Sequence, residues 1–305
     1  MARDKILVIL GPTSSGKSDL AVALAKKYDG EVISADSRQV YKGMDIGTGK
    51  VTKKEMAGIP HYLLDVANPK TSPNSPNSFT VTKYQKLAGQ AIKKILAKGK
   101  LPILCGGTGL YIQALVDNLV IPEVKPNQKL RKELEKKTVK ELAEILKKLD
   151  KKRWQEIDQN NPRRLIRAIE IATKLGKVPK LGSKTKNQNN YEFIQIGLNP
   201  GQEILHTRIH TRLLRRLRTG MLVEVKKLHK QGVSWKRLES FGLEYRHLAY
   251  FLQGKITKQE MLDKLEHEIN QYAKRQMTWF KRDPRTYWFP GLEKALKSAD
   301  KLIRD

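Results

Sequence analysis

Short apolar runs alternate with amphipathic segments along the amino-terminal part of the chain. Residues 6–10 are wholly apolar and stop at Gly11, a pattern typical of a strand that is buried on both faces. Residues 17–28 carry apolar side chains at helical spacing, and residues 31–34 are predicted to form a second strand. A strand, a helix and a strand in this order predict a β-α-β unit, which belongs to a parallel sheet.

The same alternation returns further along the chain. Strands are predicted at residues 61–65 and 101–105, and the segment from about Thr80 to Ala97 has the spacing of a helix. We therefore expect the chain to begin with a doubly wound α/β half.

The pattern changes after about Leu119. Residues 125–153 hold 12 Lys and Arg against 5 Asp and Glu, without a strand pattern. Asn161-Pro162 is typical of a helix start, with an N-cap followed by proline in the first turn. These features indicate a basic, all-helical domain over residues 119–191, whose last residues, 181–191, are predicted to form a loop.

The α/β pattern then resumes. Residues 191–197 predict another strand, and everything beyond Gly201 is predicted to be helical. We therefore assign residues 1–118 and 192–305 to one discontinuous α/β core, interrupted by the helical domain.

Composition and charge narrow the class of protein. The 305 residues carry 60 Lys and Arg against 31 Asp and Glu, a formal net charge of +29. A field of this size attracts polyanions and favours a nucleic-acid partner, although a lysine-rich proteome with solvated helix faces explains the same composition. Cys105 is the only cysteine, which excludes an intrachain disulfide, a cysteine-rich zinc module and an iron–sulfur cluster. Without a membrane span or a signal peptide in the pattern, we expect a cytoplasmic protein that makes no membrane contact.

One motif carries a definite chemistry. The run from Gly11 to Ser18 fits G-x-x-x-x-G-K-[ST] and follows a predicted buried strand, where a phosphate loop (P-loop) belongs. Its backbone N–H groups would surround phosphate oxygens, the Lys17 ammonium would reach the outer phosphate, and the Ser18 hydroxyl would bind Mg²⁺. The alternative is a Gly-rich turn with a surface lysine. The motif predicts a core like that of the P-loop NTPases, with these binding residues: Gly11, Pro12, Thr13, Ser14, Ser15, Gly16, Lys17 and Ser18.

Polar side chains follow the predicted strands at the edge of the sheet where α/β ligands bind. Asp36 stands where a general base is expected, with a cap or turn residue as the alternative. Asp65 is predicted to be a strand-end turn residue or a distant Mg²⁺ contact. Thr108, in a run of glycines, is predicted to contact a base edge or a diphosphate oxygen, or else to cap a helix.

Two clusters of cations lie in the predicted carboxyl-terminal helices. The helix predicted at residues 204–223 has no acidic residue and presents five arginines opposite its apolar face, which favours phosphate contacts: Arg208, Arg212, Arg215, Arg216 and Arg218. The second cluster runs from Lys274 to Arg282 and interleaves cations with Trp279 and Phe280, which suit either base stacking or the core.

Together these residues resemble one family, the tRNA dimethylallyltransferases, also called tRNA isopentenyltransferases. The matching blocks run in family order over nearly the whole chain. Besides the phosphate loop they are Ser34 to Thr48, Pro60-His61 with Asp65, Gly106 to Tyr111, Asn160 to Glu170, and Ala273 to Trp279.

The resemblance implies a reaction. The family transfers a dimethylallyl group from dimethylallyl diphosphate to the exocyclic amine of the adenosine just 3′ of the anticodon, and it releases diphosphate. By this resemblance Asp36 and Thr108 are the catalytic residues. From the arginine cluster we assign Arg212 to the diphosphate beside the P-loop, and from the loop motif we assign Ser18 as the protein's ligand to Mg²⁺. We expect a monomer.

The resemblance also implies that the helical domain grips the anticodon stem-loop of tRNA. Carried over by position, the residues expected to bind tRNA are Asp36, Ser37, Arg38, Gln39, Thr108, Arg131, Arg163, Arg164, Leu165, Ile166, Arg167 and Arg275.

The chain departs from the family pattern at two places. Asn161 replaces the usual Asp, and residues 241–246 follow the usual Gly-Tyr-Arg/Lys block only loosely. Two other functions share some of the motifs: a P-loop nucleoside or small-molecule kinase, and a non-catalytic RNA-binding protein.

Overall fold

A computed structural model describes residues 3–73, 75, 77–179 and 191–304. In this part of the chain all the strands belong to one sheet: β1 Asp4–Leu10, β2 Gly30–Ser34, β3 His61–Tyr62, β4 Leu101–Gly106, β5 Tyr191–Leu198 and β6 Thr286–Phe289. They are parallel and lie in the order β3-β2-β4-β1-β5-β6. The predicted α/β fold with a parallel sheet is confirmed.

The helices of the described residues are α1 Lys17–Lys27, α2 Lys53–Met56, α3 Val81–Leu96, α4 Gly109–Val116, α5 Gln128–Leu134, α6 Val139–Leu149, α7 Lys151–Glu156, α8 Pro162–Leu175, α9 Gln202–Arg218, α10 Met221–Lys230, α11 Trp235–Ser240, α12 Leu243–Leu252, α13 Lys258–Phe280 and α14 Leu292–Arg304. Asn161 caps α8 as predicted, because its side chain accepts a hydrogen bond from the N–H of Arg164 and Pro162 follows in the first turn. None of these helices is both long and apolar enough to cross a bilayer.

The buried part of strand β1, residues 6–10, is wholly apolar because helices cover both faces of the sheet. Ile6, Val8 and Leu10 pack on one face with residues of α3 and α4. Leu7 and Ile9 pack on the other face with residues of α1 and α14. Successive strand residues point to opposite faces, so both sets must be apolar.

Three details of the sequence prediction were wrong. A short strand, β6, interrupts the region beyond Gly201 that was expected to be entirely helical. Strand β3 has only two residues, because Leu63 and Asp65 adopt positive φ angles of 64° and 57° and end the extended run. The helix expected at 204–223 is two helices, since Gly220 takes a φ of 104° between α9 and α10.

The chain divides into two compact units. The first, which we call the α/β unit, comprises Met1–Lys70, Phe79–Asp117 and Asn187–Asp305. The second, the helical unit, comprises Thr71–Ser78 and Asn118–Lys186. The helical unit has its own apolar core, built from α5, α6 and α8 around Leu142, Leu146 and Leu165.

Helices α9 to α13 form a further core within the α/β unit. Buried side chains of these helices, such as Leu213, Val225 and Leu248, pack around Val40 and Met44 from the segment that follows β2. This packing holds the segment after β2 against the carboxyl-terminal helices, which is where the candidate site lies.

Candidate active site

Three neighbouring strands deliver the predicted site residues to one edge of the sheet. Strand β2 leads to Asp36, β4 leads to Gly107 and Thr108, and β1 leads to the P-loop. Because β2, β4 and β1 are adjacent in the sheet and parallel, their carboxyl ends lie side by side. The fold therefore brings together residues 11–18, 36 and 107–108, which are far apart in the chain.

The P-loop has the backbone that its glycines predict. Gly11 adopts a φ of 149°, and a Cβ atom there would lie 2.6 Å from the carbonyl oxygen of Leu198. Gly16, with a φ of 92°, precedes the first residue of α1, Lys17. The Lys17 ammonium donates to the carbonyl oxygen of Pro12 at 2.9 Å. The hydroxyl of Ser15 is buried and has no hydrogen-bond partner among the described residues.

Lys17 lies in an electrostatic setting that suits a phosphate ligand. Burial lowers the pKa of Lys17 to about 8, and the nearby cation of Arg212 acts in the same direction, while Cys105 and Asp36 oppose the shift. A bound anion would reverse this shift by stabilising the charged ammonium.

The Asp36 carboxylate stabilises a turn through one oxygen and leaves the other oxygen available to a ligand. Its Oδ1 accepts hydrogen bonds from the backbone N–H of Arg38 at 2.7 Å and of Gln39 at 3.3 Å. Its Oδ2 accepts none from any residue that the structure describes. The turn role that we had considered is thus present, and it orients the carboxylate without using both oxygens.

Thr108 links the loop after β4 to the loop after β2. Its Oγ1 accepts a hydrogen bond from the N–H of Ser37 at 2.9 Å, and its own N–H donates to the carbonyl oxygen of Ala35 at 3.1 Å. Thr108 occupies the N-cap position of α4, but its side chain makes no capping bond to that helix. The hydroxyl proton remains available for a ligand, because the Oγ1 acts as an acceptor toward Ser37.

Two cavities of the α/β unit meet at the P-loop. The first, which we call the Asp36 cavity, has a volume of about 320 Å³ and is lined by these candidate residues among others: Thr13, Lys17, Ser18, Asp36, Ser37, Arg38, Gln39, Arg212 and Arg275. The second, the Arg208 cavity, has a volume of about 540 Å³ and is lined by Ser14, Ser15, Gly16, Lys17, Ser18 and Arg212 together with Arg208 and Arg215. Lys17, Ser18 and Arg212 therefore face both cavities.

The arginines of α9 divide into partly buried side chains and exposed ones. Arg212 donates to the carbonyl oxygen of Gly49 at 3.4 Å, and burial together with the cation of Arg216 lowers the pKa of Arg212 to about 10. Arg208 is exposed and donates to the carbonyl oxygen of Ser15 at 3.4 Å. Arg215 and Arg218 are exposed.

Arg216 corrects the expectation of five uncompensated arginines. Its Nη1 lies 3.3 Å from Oε1 of Glu244, a carboxylate contributed by α12. Burial raises the pKa of Glu244, and the charge of Arg216 opposes that rise. Arg216 is therefore engaged in an ion pair with Glu244, and Arg212 is better placed to bind a phosphate.

Asp65 is held by a lysine and is poorly suited to a metal. The Lys50 ammonium lies 2.6 Å from Oδ1 of Asp65 and 2.6 Å from Oδ1 of Asp45, and the Lys50 side chain is only 6% exposed. The suggested distant Mg²⁺ contact is thus replaced by an ion pair, which leaves Asp65 with its structural role at the end of β3.

Gln276 is a site residue that the sequence did not single out. It is buried on α13, its Oε1 accepts from the N–H of Thr13 at 2.8 Å, and its Nε2 donates to the carbonyl oxygen of Gly107 at 2.9 Å. It thereby ties the P-loop to the loop after β4. The only signal in the sequence was its place beside Arg275 in the family block, since a glutamine by itself indicates no site.

The aromatic residues of the second cluster are largely structural. Phe280 is buried with residues of β1 and α3, which is the core position that we had considered. Trp279 packs against α4, where a Cβ atom at Gly109 would lie 2.2 Å from its Cδ1. The guanidinium of Arg282 lies 5.9 Å from the Trp279 ring.

The remaining expected tRNA contacts belong to the helical unit. Arg131 donates through Nε and Nη2 to the two oxygens of Glu170, both at 2.7 Å. Arg167 lies 3.3 Å from the same carboxylate and donates to the carbonyl oxygen of Val124 at 2.9 Å. Two arginines thus share one buried carboxylate, which leaves a net positive charge where α5 meets the middle of α8.

The other residues of the same stretch differ in exposure. Arg163 and Arg164 are exposed, and Ile166 is half-buried. Leu165 is completely buried in the core of the helical unit, so the expectation that its side chain contacts tRNA is wrong. The spacing of α8 explains this, because residue 165 falls on the same helix face as Ala168, Ile169 and Ala172.

A resident metal site built from the protein alone is missing from the described residues. No group of three or more His, Cys, Asp or Glu side chains converges there in a way that could hold a metal ion. A cation would instead need ligands from a substrate, as is usual for Mg²⁺ bound with phosphates.

Comparison with known proteins identifies the family of the chain. Residues 39–283 match the family model described as IPP transferase. The chain is 40% identical to the tRNA dimethylallyltransferase of Acetivibrio thermocellus over 99% of this chain and 96% of that protein. It is 42% identical to the tRNA dimethylallyltransferase of Staphylococcus epidermidis over 94% of this chain and 87% of that protein.

Solved structures give the same result. The tRNA isopentenylpyrophosphate transferase of Bacillus halodurans superposes with a TM-score of 0.72 at 36% identity, covering 99% of this chain and 98% of that one. A eukaryotic dimethylallyltransferase captured acting on tRNA superposes with a TM-score of 0.70 at 27% identity, covering 90% of this chain and 69% of that one.

Proposed function

The chain belongs to the IPP transferase family, and from this membership we propose that it transfers a dimethylallyl group from dimethylallyl diphosphate to tRNA. The acceptor is the exocyclic amine of the adenosine adjacent to the anticodon on its 3′ side, and diphosphate is released. One observation carries the proposal: a carboxylate, Asp36, lines the same cavity as the P-loop lysine, Lys17. A general base and an anion-binding loop are the two groups that this reaction needs within reach of each other.

The P-loop and Arg212 bind the diphosphate end of the donor. The backbone N–H groups of the loop and the N-terminus of α1 supply donors and positive potential, and the hydroxyls of Ser15 and Ser18 add hydrogen bonds. Lys17 and Arg212 balance the negative charge that develops on the leaving group as the carbon–oxygen bond breaks.

The residues present fit a Mg²⁺ ion that is bound together with the diphosphate. Ser18 faces both cavities beside Lys17, and its hydroxyl makes no hydrogen bond to a described residue. When bound, Mg²⁺ would help to neutralise the leaving diphosphate. Ser18 would be its protein ligand, and the remaining ligands would be diphosphate oxygens and water.

Asp36 accepts the proton that the adenosine amine must lose. The amine nitrogen forms a bond to the first carbon of the dimethylallyl group, the bond from that carbon to the diphosphate oxygen breaks, and the proton moves from nitrogen to Oδ2 of Asp36. The turn that engages Oδ1 keeps the carboxylate oriented for this transfer. Thr108, held through Ser37, presents its hydroxyl to the base or the diphosphate.

Polar and cationic side chains of both units bind the RNA. In the α/β unit the candidates are Ser37, Arg38, Gln39 and Arg275, which line the Asp36 cavity. In the helical unit they are Arg131, Arg163, Arg164 and Arg167. Because the modified base must leave its stack to react, contacts on either side of it are needed to hold the anticodon stem-loop.

The kinase alternative has less support. The P-loop and the α/β fold suit a kinase equally well, but the relatives over nearly the full length are tRNA dimethylallyltransferases. We further propose that the protein is cytoplasmic. We also propose that it acts as a monomer, since the α/β unit alone carries every group of the donor site.

The test is incorporation of radiolabelled dimethylallyl diphosphate into unmodified tRNA with Mg²⁺ and without ATP, followed by digestion to nucleosides. We expect the label in a prenylated adenosine. A folded, tRNA-binding protein that incorporates no label would contradict the proposal, and ATP turnover with a nucleoside would then favour the kinase.

A further inference from the structure

Glu224, at the start of α10, captures the backbone of a loop that lines the Asp36 cavity. Its Oε2 accepts from the N–H of Asp45 at 2.8 Å and of Ile46 at 2.6 Å, and its Oε1 accepts from the N–H of Gly47 at 3.0 Å. Three successive N–H groups that converge on one anion form a nest. The occupant of this nest is the protein's own carboxylate.

Glu224 also accepts a fourth hydrogen bond, from a side chain. The hydroxyl of Tyr245, on α12, donates to Oε1 of Glu224 at 2.7 Å. The Tyr245 ring also packs directly on the loop, since a Cβ atom at Gly47 would lie 2.7 Å from its Cζ. Glu224 is thus held from both sides, by the loop and by a buried tyrosine.

The loop in turn fixes the arginines that face the donor. The carbonyl oxygen of Gly49 accepts from Arg212 at 3.4 Å, and that of Gly47 accepts from Arg216 at 3.4 Å. The approach is as close as a backbone without a side chain permits, because a Cβ atom at Gly49 would lie 1.5 Å from Nη2 of Arg216 and 2.4 Å from Nη2 of Arg212. A shift of the loop would therefore displace both guanidinium groups.

We propose that Glu224 is a positioning residue for the diphosphate: by binding the N–H groups of residues 45–47 it sets the loop, and the loop sets Arg212. Glu224 does not itself line either cavity among the described residues, so it acts only through the loop. The inference rests on the proposed function, since it assigns Arg212 to the diphosphate of the donor.

The decisive variant is Glu224→Gln, which keeps the size of the side chain but presents an amide N–H₂ to a nest of donors. We expect the KM for dimethylallyl diphosphate to rise about tenfold or more, the loss typical for a hydrogen bond to a charged group. The inhibition constant of inorganic diphosphate should rise by the same factor. We also expect kcat to fall, because Arg212 balances the charge on the leaving diphosphate, whereas the Kd for tRNA should change little.

Tyr245→Phe is the matched control. It removes one hydrogen bond from the same carboxylate but leaves the three loop N–H groups satisfied, so we expect a lower Tm with an unchanged donor KM. If both variants raise the donor KM in proportion to their loss of Tm, Glu224 is merely a structural brace and the proposal is overturned. Glu224→Asp, which shortens the reach to the nest, replaces Glu224→Gln if that variant does not fold.

A double-mutant cycle with Arg212→Ala tests the route of the effect. If Glu224 acts through Arg212, then Glu224→Gln should add little to the donor KM once Arg212 is gone. Fully additive effects would overturn the proposal. A wild-type protein that incorporates no label would instead contradict the proposed function, so the two failures are distinguishable.

Discussion

Several side chains of the donor site use only part of their hydrogen-bonding capacity within the described protein. Asp36 engages Oδ1 in a turn, and Ser15 has a buried hydroxyl without a partner. Buried polar groups are usually satisfied, so the Ser15 hydroxyl points to a ligand contact, and the half-buried Asp36 lines a cavity with one oxygen not engaged by the protein. They also indicate which substitutions should alter the reaction without altering the fold.

Asp36→Ala should keep most of the affinity for tRNA and lose about two to four orders of magnitude in kcat, because the proton acceptor is removed. Asp65→Asn is the matched control: Asp65 pairs with Lys50 and lies outside the lining of both cavities, so near-normal turnover is expected. Single-turnover rates at saturating donor, together with tRNA binding, measure both quantities. Near-normal turnover of Asp36→Ala would rule out the general-base role.

The lowered pKa of Lys17 predicts a pH dependence of donor capture. Below pH about 8 the ammonium is charged and binds the diphosphate, whereas above it the free enzyme loses this charge. We therefore expect kcat/KM for the donor to fall as the pH rises through about 8, and Lys17→Arg should move that fall to higher pH. An identical alkaline limb in both proteins would show that another group titrates.

The free energy of unfolding should rise with pH over the range in which kcat/KM for the donor falls. Burial disfavours the charged Lys17 in the folded protein, so the penalty is present below pH about 8. It is relieved between that value and the ordinary lysine pKa of 10.5, where the unfolded chain still holds the proton. Lys17→Met should remove this gain, which denaturant unfolding as a function of pH would detect.

Among the helices, α8 shows how one buried acid organises a basic surface. Burial would raise the pKa of Glu170, but the hydrogen bonds from Arg131, the Asn127 N–H and Arg167 together hold it below its usual value. The carboxylate stays charged, and the two guanidinium groups keep a fixed direction.

Glu170→Ala should therefore destabilise the helical unit by about 3–5 kcal/mol, because it leaves buried positive charge uncompensated. We expect tRNA affinity to fall sharply while inhibition by inorganic diphosphate stays normal. Glu144→Ala, in the same unit but exposed, should change neither property. Loss of diphosphate inhibition in Glu170→Ala would contradict a role confined to the helical unit.

The elements that the sequence predicted well are those with a strong local pattern. Strand β1 contains the unbroken apolar run of residues 6–10, and α8 has a cap and a proline at its start. Strand β6 was missed because it is a four-residue edge strand in a charged region, and its pairing with β5 is a long-range contact. A break such as the one at Gly220 depends on packing that no local pattern reveals.

Site residues, too, could be predicted only where a local sequence pattern marks them. The P-loop and Asp36 were found because motif and strand end coincide. Gln276 and Glu224 were not, because their partners lie 263 and 177 to 179 positions away and their residue types indicate nothing by themselves. Arg216 was assigned to phosphate because Glu244 lies on another helix.

The net charge of +29 is a property of the whole chain and predicts salt-dependent RNA binding. The Kd for tRNA should rise by about tenfold or more between 50 and 200 mM salt, since several phosphates are neutralised at once. The KM for dimethylallyl diphosphate, measured in the same buffers, should change much less. A tRNA affinity that is insensitive to salt would show that the charge serves another purpose.

The position of β1 between β4 and β5 has a consequence for the order in which the protein matures. Strand β1 is made first, yet Leu7 pairs with Ile194, and the first glycine of the P-loop packs against the carbonyl of Leu198. During synthesis the helical unit leaves the ribosome before β5 does, and domains generally fold as units as they emerge. The region proposed to grip RNA can therefore form while the centre of the sheet is still open. The loop for the diphosphate acquires its final form only after β5 has been added beside it.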